Sequence, residues 1–543
     1  MTRRQLLSAA AAAAAVPPVP AAGIPNDVVA RHDASVERLV RAQITDPASR
    51  FAGTMEDASG LHSPGAAAGL VTACATAFLQ PASKFYRAPL MLERSRLAAA
   101  YLDRAQSAQG NIDLLTTNFN SPPDTGFVVH NVGSAACLAQ RAGASEWVAT
   151  LERFLKRAGA GMASGGVHTP NHRWVVSSAL AQIHEVFPDP AYLRRIDQWL
   201  AEGVDLDSDG QFTERSTGVY NAVCDRAFTV LAAKLKRPQL LDPVRRNLDA
   251  MQWLLHPGYE VVTEISRRQD QYERRDMAPY WFPLQYLAVH DRKGTYAAIA
   301  RRFPTAASLT TLMEYPELQE DIPDAPVPGD YVKLLPSLES LRIRHGALSA
   351  TVLLRNDSHF LGFRRGDAVI SSLRFAGAFF GKGQFVPTRW DRDGDGYLLT
   401  QELSSGYYQP FDPARKVAAG EWGLTRESRR QSEVCHLKQS ARISETKNGL
   451  RVRLRADGTS NVPVAVEIAL REGGKLEGCV EANGGTLLPE GFATYRAGND
   501  TVRFGPGLRE HSYWQIRGAE PAAPGLRVYL CGYTPFDHEI ELS

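Results

Sequence analysis

The stretch Gly165-Gly-Val-His-Thr-Pro-Asn-His-Arg-Trp174 places an amide, an imidazole and a guanidinium on consecutive residues, Asn171, His172 and Arg173, directly after a glycine-rich loop and a proline. A proline in this position suits the first turn of a helix. A helix N-terminus presents free backbone N–H groups and the positive end of its dipole, which together favour a carboxylate. Three polar side chains added there make a site able to neutralise a carboxylate ligand. The same residues also admit a purely local reading, with Thr169 or Asn171 as a cap, Trp174 in the core and His172 bonded within the protein.

A second polar stretch, Asp205-Leu-Asp-Ser-Asp-Gly-Gln-Phe-Thr-Glu-Arg-Ser-Thr-Gly-Val-Tyr220, joins two segments of helical pattern. Tyr220 opens the later one, 49 residues after Asn171. Two further clusters suit a groove for a charged sugar. Asn118-Phe-Asn-Ser-Pro-Pro-Asp-Thr125, with His130, opens an early helix, and Ser266-Arg-Arg-Gln-Asp270, followed by Tyr280 and Trp281, opens a late one. Arginine beside an aromatic platform fits an anionic sugar. Arg173, Asn118, His168, Glu214, Arg267, Arg268 and Tyr280 are therefore the candidate substrate contacts; solvated loops between core helices are the plain alternative.

One motif has the spelling of a calcium loop. Asp391-Arg-Asp-Gly-Asp-Gly-Tyr-Leu-Leu-Thr-Gln-Glu402 matches the twelve-residue pattern through Asp391, Asp393, Asp395 and Glu402. Neither flank reads as a helix, so a structural Ca2+ site and an acidic hairpin turn both remain open. Asp205, Asp207 and Asp209 make a weaker copy, because its twelfth position is Ser216.

The elements that must carry these residues fall into two classes. From about Val28 to Phe303 amphipathic segments alternate with Gly/Pro/Asn/Asp clusters: Ala34–Gln43, Leu90–Gln106, Trp147–Ala158, Trp174–Val186, Ala191–Ala201, Ala222–Lys234 and Pro243–Leu255. Apolar residues recur near the helical period, as in Leu193, Ile196 and Leu200. Paired antiparallel helices stacked into a ring fit such short loops. The acidic, proline-rich run Leu318–Asp330 reads as a linker. Beyond it short apolar runs divided by turns predict strands at Ala350–Leu354, His359–Arg364, Ala368–Arg374, Leu450–Leu454, Val462–Leu470, Gly491–Tyr495, Thr501–Phe504 and Leu526–Leu530. The expected architecture is an N-terminal incomplete (α/α) toroid over residues 23–325 and a C-terminal antiparallel β-sandwich over 332–543.

The Asn-His pair, the Asp-Gly-x-Phe-x-Glu-x-Ser run and Tyr220, set in this domain order, resemble the heparinase II/III-like and oligoalginate-type polysaccharide lyases. The resemblance implies β-elimination on a uronic-acid-containing polysaccharide. The proton at C5 leaves, the 4-linked oxygen is expelled, and neutralising the adjacent carboxylate stabilises the enolate-like transition state. It gives Asn171 and His172 the carboxylate and Tyr220 the proton transfer, with no cofactor required for the chemistry. A phenol acts as base only beside a cation that lowers its pKa, for which Arg173, Arg215 and Arg226 are candidates. It also implies a His or Tyr from the β domain, for which His359 is the first candidate, ahead of His345, Tyr407 and Tyr408.

Composition agrees with a globular catalyst or binder. The chain has 543 residues, 44% of them hydrophobic and 22% charged, with a formal net charge of +2, too small a basic excess for non-specific nucleic-acid binding. No segment reaches the roughly 20 apolar residues of a membrane span. Arg3 and Arg4, an alanine run and Pro17, Pro18 and Pro20 resemble a twin-arginine export signal over residues 1–22, implying a periplasmic or extracellular enzyme. Six scattered cysteines form no metal or scaffold pattern. Two other functions fit the same composition: a toroid glycoside hydrolase using a carboxylate pair such as Glu214 and Asp225, and a glycan-binding envelope protein without catalysis.

Overall fold

Five helices of the N-terminal half begin on a proline, whose fixed φ suits a first turn and whose missing N–H has no intrahelical partner there. In the computed structural model, which describes residues 24–543, this half comprises α1 (Asn26–Ala42), α2 (Pro64–Leu79), α3 (Pro89–Ala105), α4 (Pro122–Arg141), α5 (Ser145–Ser164), α6 (Pro170–Val186), α7 (Pro190–Ala201), α8 (Tyr220–Leu235), α9 (Asp242–Met251), α10 (Trp281–His290), α11 (Gly294–Ala300) and α12 (Leu309–Glu314). The arginine pair and the export signal inferred from it lie outside the described residues. A two-stranded ribbon, β1 (Ile112–Leu114) with β2 (Asn118–Ser121), precedes α4.

Helices α2, α4, α6 and α8 pack side by side as an inner layer, and α3, α5 and α7 pack outside them. Burial follows position: α4 buries fourteen of its twenty residues, whereas outer α7 buries only Tyr192 and Ile196. Close approach of α4 to α6 depends on glycine. A Cβ on Gly133 would lie 3.2 Å from the Gln182 side chain, and one on Gly126 would lie 3.0 Å from Val175.

One end of the inner layer is closed by α12. There Lys234 Nζ pairs with Glu185 at 2.7 Å and Glu314 at 2.6 Å, and Arg141 pairs with Glu185 at 2.7 Å. These charges sit at the C-terminal ends of α4, α6 and α8. Removing one partner from such a buried knot costs about 3–5 kcal/mol. The N-termini of α4, α6, α8 and α10 open on the opposite face, and their loops gather there.

The C-terminal half is strand: β3 (Asp330–Leu335), β4 (Ser340–His345), β5 (Leu348–Leu353), β6 (Leu361–Arg365), β7 (Ala368–Gly377), β8 (Arg389–Asp393), β9 (Gly396–Tyr408), β10 (Gln431–Thr446), β11 (Gly449–Gly458), β12 (Pro463–Leu470), β13 (Lys475–Glu477), β14 (Val480–Ala482), β15 (Gly485–Leu487), β16 (Ala493–Ala497), β17 (Asp500–Gly505), β18 (Leu526–Tyr533) and β19 (Phe536–Leu542). They form a nine-stranded sheet, ordered β14-β15-β18-β12-β7-β6-β5-β4-β3, and an eight-stranded sheet, ordered β13-β16-β17-β19-β11-β10-β9-β8. All pairings are antiparallel except a single parallel bridge between β15 and β18. Alternate residues such as Phe363, Leu373, Val452 and Ile540 fill the space between the sheets.

The other face of the nine-stranded sheet is polar and docks on the toroid. Arg364 and Arg471 both reach Glu260, at 2.9 and 2.6 Å, and Ser349 Oγ lies 2.9 Å from His256 Nδ1. The loops opening α8 and α10 therefore lie against the β domain. The loops opening α4 and α6 meet one another, with Phe127 edge-on to His172 at 6.1 Å.

Candidate active site

The N-terminus of α6 is held by a carboxylate from the next loop. Glu214 Oε1 accepts from the backbone N of Asn171 at 3.0 Å and from Asn171 Nδ2 at 2.6 Å. Hydrogen bonds to a charged group contribute about 1.5–3 kcal/mol each, and both orient the same amide. Asn171 Oδ1, His172 Nδ1 and Glu214 Oε2 are buried with no hydrogen-bond partner in the protein. Unsatisfied polar atoms clustered in this way mark a place completed by a ligand or a small side-chain shift.

His172 lies edge-on to His168, with ring centroids 4.7 Å apart, and edge-on to Phe127 at 6.1 Å. Burial, reinforced by His168, lowers its pKa to about 4, so the imidazole is neutral at neutral pH. His168 itself is exposed.

Tyr220 begins α8 without a proline, and its backbone N donates to Ser216 Oγ at 3.0 Å. Ser216 Oγ in turn donates to Asp270 Oδ1 at 2.7 Å, while Asp270 Oδ2 accepts from Gly218 N and from Ser266 Oγ at 2.9 Å each. Fully buried Asp270 thereby ties the loop before Tyr220 to the loop before α10. That loop turns back over the phenol: Gln269 Nε2 donates to Tyr220 Oη at 2.9 Å, and the Arg268 guanidinium stands 5.2 Å from the ring centroid. Arg268 Nε also lies 3.9 Å from Glu214 Oε2, so a single arginine links the tyrosine to the Asn171 clamp. Four residues after Arg268, Tyr272 Oη donates to Asp357 at 2.9 Å and its ring lies 4.7 Å from that of His359. His359 sits just before β6 rather than within a strand, half-buried at the junction of the two halves.

Asn171, His172, Glu214, Tyr220 and Arg268 thus form one connected group, with His168 exposed beside it and His359 joined through the 266–273 loop. Arg267 is exposed on that loop. Asn118 lies on the ribbon before α4, its amide donating to Asp124 at 3.0 Å. Several expectations need correction. Tyr280 is fully buried and donates to the backbone O of Thr217, because it is the aromatic core of the turn into α10 rather than a sugar platform. Arg173 is engaged by Asp205 at 2.8 Å and Glu202 at 3.1 Å and stacks on Trp174 at 4.5 Å, which removes it as a free cation. Arg215 bonds the Ser337 carbonyl. The cation over the phenol is Arg268. Exposed His345 is paired with Asp330 and Glu445 on the sheet, away from this group.

The calcium spelling folds as a hairpin. Asp391 and Asp393 lie on β8, Asp395 is in the turn, and Glu402 is six residues along β9. At about 3.3 Å per residue, Glu402 is carried roughly 20 Å from the turn. Arg442 pairs with Asp393 at 2.8 Å and Asp395 at 2.7 Å, and Glu402 pairs with Lys438 at 3.3 Å. The four carboxylates do not form one cage, and no cluster of three or more ligating side chains occurs among the described residues. In the weaker copy Asp207 Oδ1 accepts from Gln211 N and Asp209 from Ser337 N, as turn and docking contacts. None of the six thiols is paired.

No protein-family model and no curated protein matches the sequence. Among solved structures the fold is similar to that of Streptomyces coelicolor A3 chondroitin AC lyase in complex with chondroitin sulphate, at 14% identity over 95% of this chain and 79% of that one, with a TM-score of 0.56. It is similar also to Paenibacillus xanthan lyase, at 10% identity and a TM-score of 0.58, covering 95% of this chain and 56% of the longer xanthan lyase. At such identities the likeness establishes the fold alone: a helical toroid followed by an antiparallel β-sandwich, as the sequence leads one to expect.

Proposed function

We propose that the protein is a polysaccharide lyase that cleaves a uronic-acid-containing acidic polysaccharide by β-elimination. The observation that carries this reading is the connected group itself: a tyrosine held at its hydroxyl by Gln269, under Arg268, joined through Glu214 to the Asn171–His172 pair. The fold, shared with proteins named as chondroitin and xanthan lyases, supports it.

In this mechanism the uronate carboxylate is received at the N-terminus of α6 by neutral His172 and by the second hydrogen of the Asn171 amide, which exchanges its 3.3 Å contact to Thr169 Oγ1 for the substrate. Arg268 offsets the charge of Glu214, which would otherwise repel the substrate. Tyr220 transfers the proton: the C5–H bond breaks, its electron pair forms the C4–C5 double bond, and the C4–O4 bond breaks as the departing oxygen takes up a proton. Gln269 donates to the phenol oxygen and the Arg268 guanidinium stands over the ring, so charge developing there in the transition state meets a donor and a cation. His359 stands as the β-domain contribution, its ring 4.7 Å from that of Tyr272 on the loop that carries Arg268 and Gln269. Arg267 and Asn118 line the approaches, and no cofactor enters any step. Export through the arginine-pair signal would place the enzyme outside the cytoplasm with polymeric substrate.

The hydrolase reading loses its carboxylate pair. Asp225 is fully buried, its pKa pushed well above the usual range by burial, and Glu214 is committed to Asn171. A panel of acidic polysaccharides assayed for ultraviolet absorbance of the unsaturated product, with product mass spectrometry, tests the proposal. Products that have gained water in place of a double bond would contradict it.

A further inference from the structure

Beside the start of α8 lies a cavity of about 460 Å³, walled by Ala222 and Val223 of that helix and by Arg226, Arg274 and Arg275. Six residues separate Tyr220 from Arg226, roughly 240° of helical turn, so Arg226 does not share the face of the phenol and cannot be the cation that tunes it. It points instead toward the interior of the toroid and lies 5.8 Å from the ring of Phe282 on α10. Arg274 is within 3.4 Å of Glu260, a carboxylate already shared by Arg364 and Arg471. Arg226 and Arg275 have no carboxylate within 4.0 Å among the described residues. The single acid of the cavity wall, Asp276, is engaged on Ala278 N at 2.9 Å.

Three arginines against one aspartate give this hollow an uncompensated positive charge on a partly apolar wall, where an anion is attracted most strongly. Guanidinium groups match the oxygen spacing of carboxylates and sulfates. We propose that this pocket binds a second anionic group of the substrate, a sulfate ester or a carboxylate on a sugar near the one received by Asn171 and His172. The protein then selects polymers carrying more than one negative charge per disaccharide. The inference takes the carrier of the anion from the lyase reading; the pocket itself is independent of the elimination chemistry.

A binding experiment on the Tyr220→Phe background, expected to turn over about a thousandfold more slowly, separates the two. Chondroitin hexasaccharide in 4-sulfated and chemically desulfated forms, and a mannuronate hexamer with a carboxylate on every sugar, are titrated calorimetrically. The sulfated or the all-uronate ligand is expected to bind about tenfold or more tightly than the desulfated one, and Arg226→Gln or Arg275→Gln to remove about tenfold of that preference. Affinity for the desulfated ligand should stay unchanged. Whether the sulfated or the all-uronate ligand gains more identifies the anion. Arg275→Gln alters an exposed side chain, so it remains informative if Arg226→Gln does not fold. Equal affinities in the parent, no binding of any of the three, or an equal loss on all three in the variants would overturn the proposal. Elimination by the unmutated enzyme is read separately by product absorbance, so failure of the lyase reading would be a different result.

Discussion

Glu214 grips Asn171 twice with one oxygen, Oε1 taking the backbone N–H at 3.0 Å and the side-chain amide at 2.6 Å. The bond pattern fixes which way the amide of Asn171 faces and leaves its Oδ1 without a partner. Glu214→Ala should therefore leave the fold intact but lower kcat about a hundredfold, the usual loss when an anion-stabilising donor is misplaced. Glu214→Gln retains an acceptor oxygen and should lose less. Steady-state kinetics on the two variants check the order; equal activity in Glu214→Ala and the parent would remove the clamp from the mechanism.

Asp270 contacts neither substrate nor Tyr220, yet it fixes Ser216, Gly218 and Ser266 together. It acts as a positioning residue. In Asp270→Asn one acceptor oxygen becomes a donor facing another donor, so the Gln269 and Arg268 contacts to Tyr220 should loosen. A fall of about tenfold or more in kcat with a smaller change in KM is expected, since a slight misplacement of reacting groups has such effects. A change in thermal stability alone, with kcat intact, would assign Asp270 a structural role only.

Stability should decline with acid as buried histidines take up protons on unfolding. Burial lowers His130 and His256 to about 3, against roughly 6.5 in an unfolded chain. Both are neutral when folded, so their contribution is complete above pH 6.5 and is lost progressively as pH falls toward 3. Between pH 6 and 5 these two histidines take up nearly two more protons in the unfolded state, a contribution of about 2–3 kcal/mol per pH unit, to which His172, lowered to about 4, adds. Denaturant unfolding at several pH values measures it. His130→Gln should reduce the slope by about 1 kcal/mol per pH unit, and an unchanged slope would contradict the assignment.

Much of this was legible in the sequence, but unevenly. The outer helices announce themselves because one face is polar, and Pro190–Ala201 reads correctly almost to the residue. Helix α2 does not, because a helix buried nearly all round has no polar face to give a period, and α4 is marked only by the polar loop that opens it. The long strand Gln431–Thr446 is missed for the opposite reason, its first half being exposed on both faces. In the site, Asn171, His172 and Tyr220 stand out by type and by position at helix starts. The roles of Glu214 and Asp270 rest on contacts across 43 and 54 residues, which no local pattern encodes. Tyr280 misleads for the same reason: its neighbours in sequence are exposed arginines, but the turn into α10 points it inward. The calcium spelling fails because a motif read without its flanking helices fixes spacing along the chain and not convergence in space.

The central claim is that Tyr220 transfers the proton in an elimination reaction. Its most direct test is the ultraviolet absorbance of unsaturated product released from a uronic-acid polymer by the parent and by Tyr220→Phe at matched folding. The expected result is steady accumulation with the parent and a rate lower by about a thousandfold in the variant, within the range for loss of a general acid–base group. Unsaturated product formed at similar rates by both proteins would contradict it.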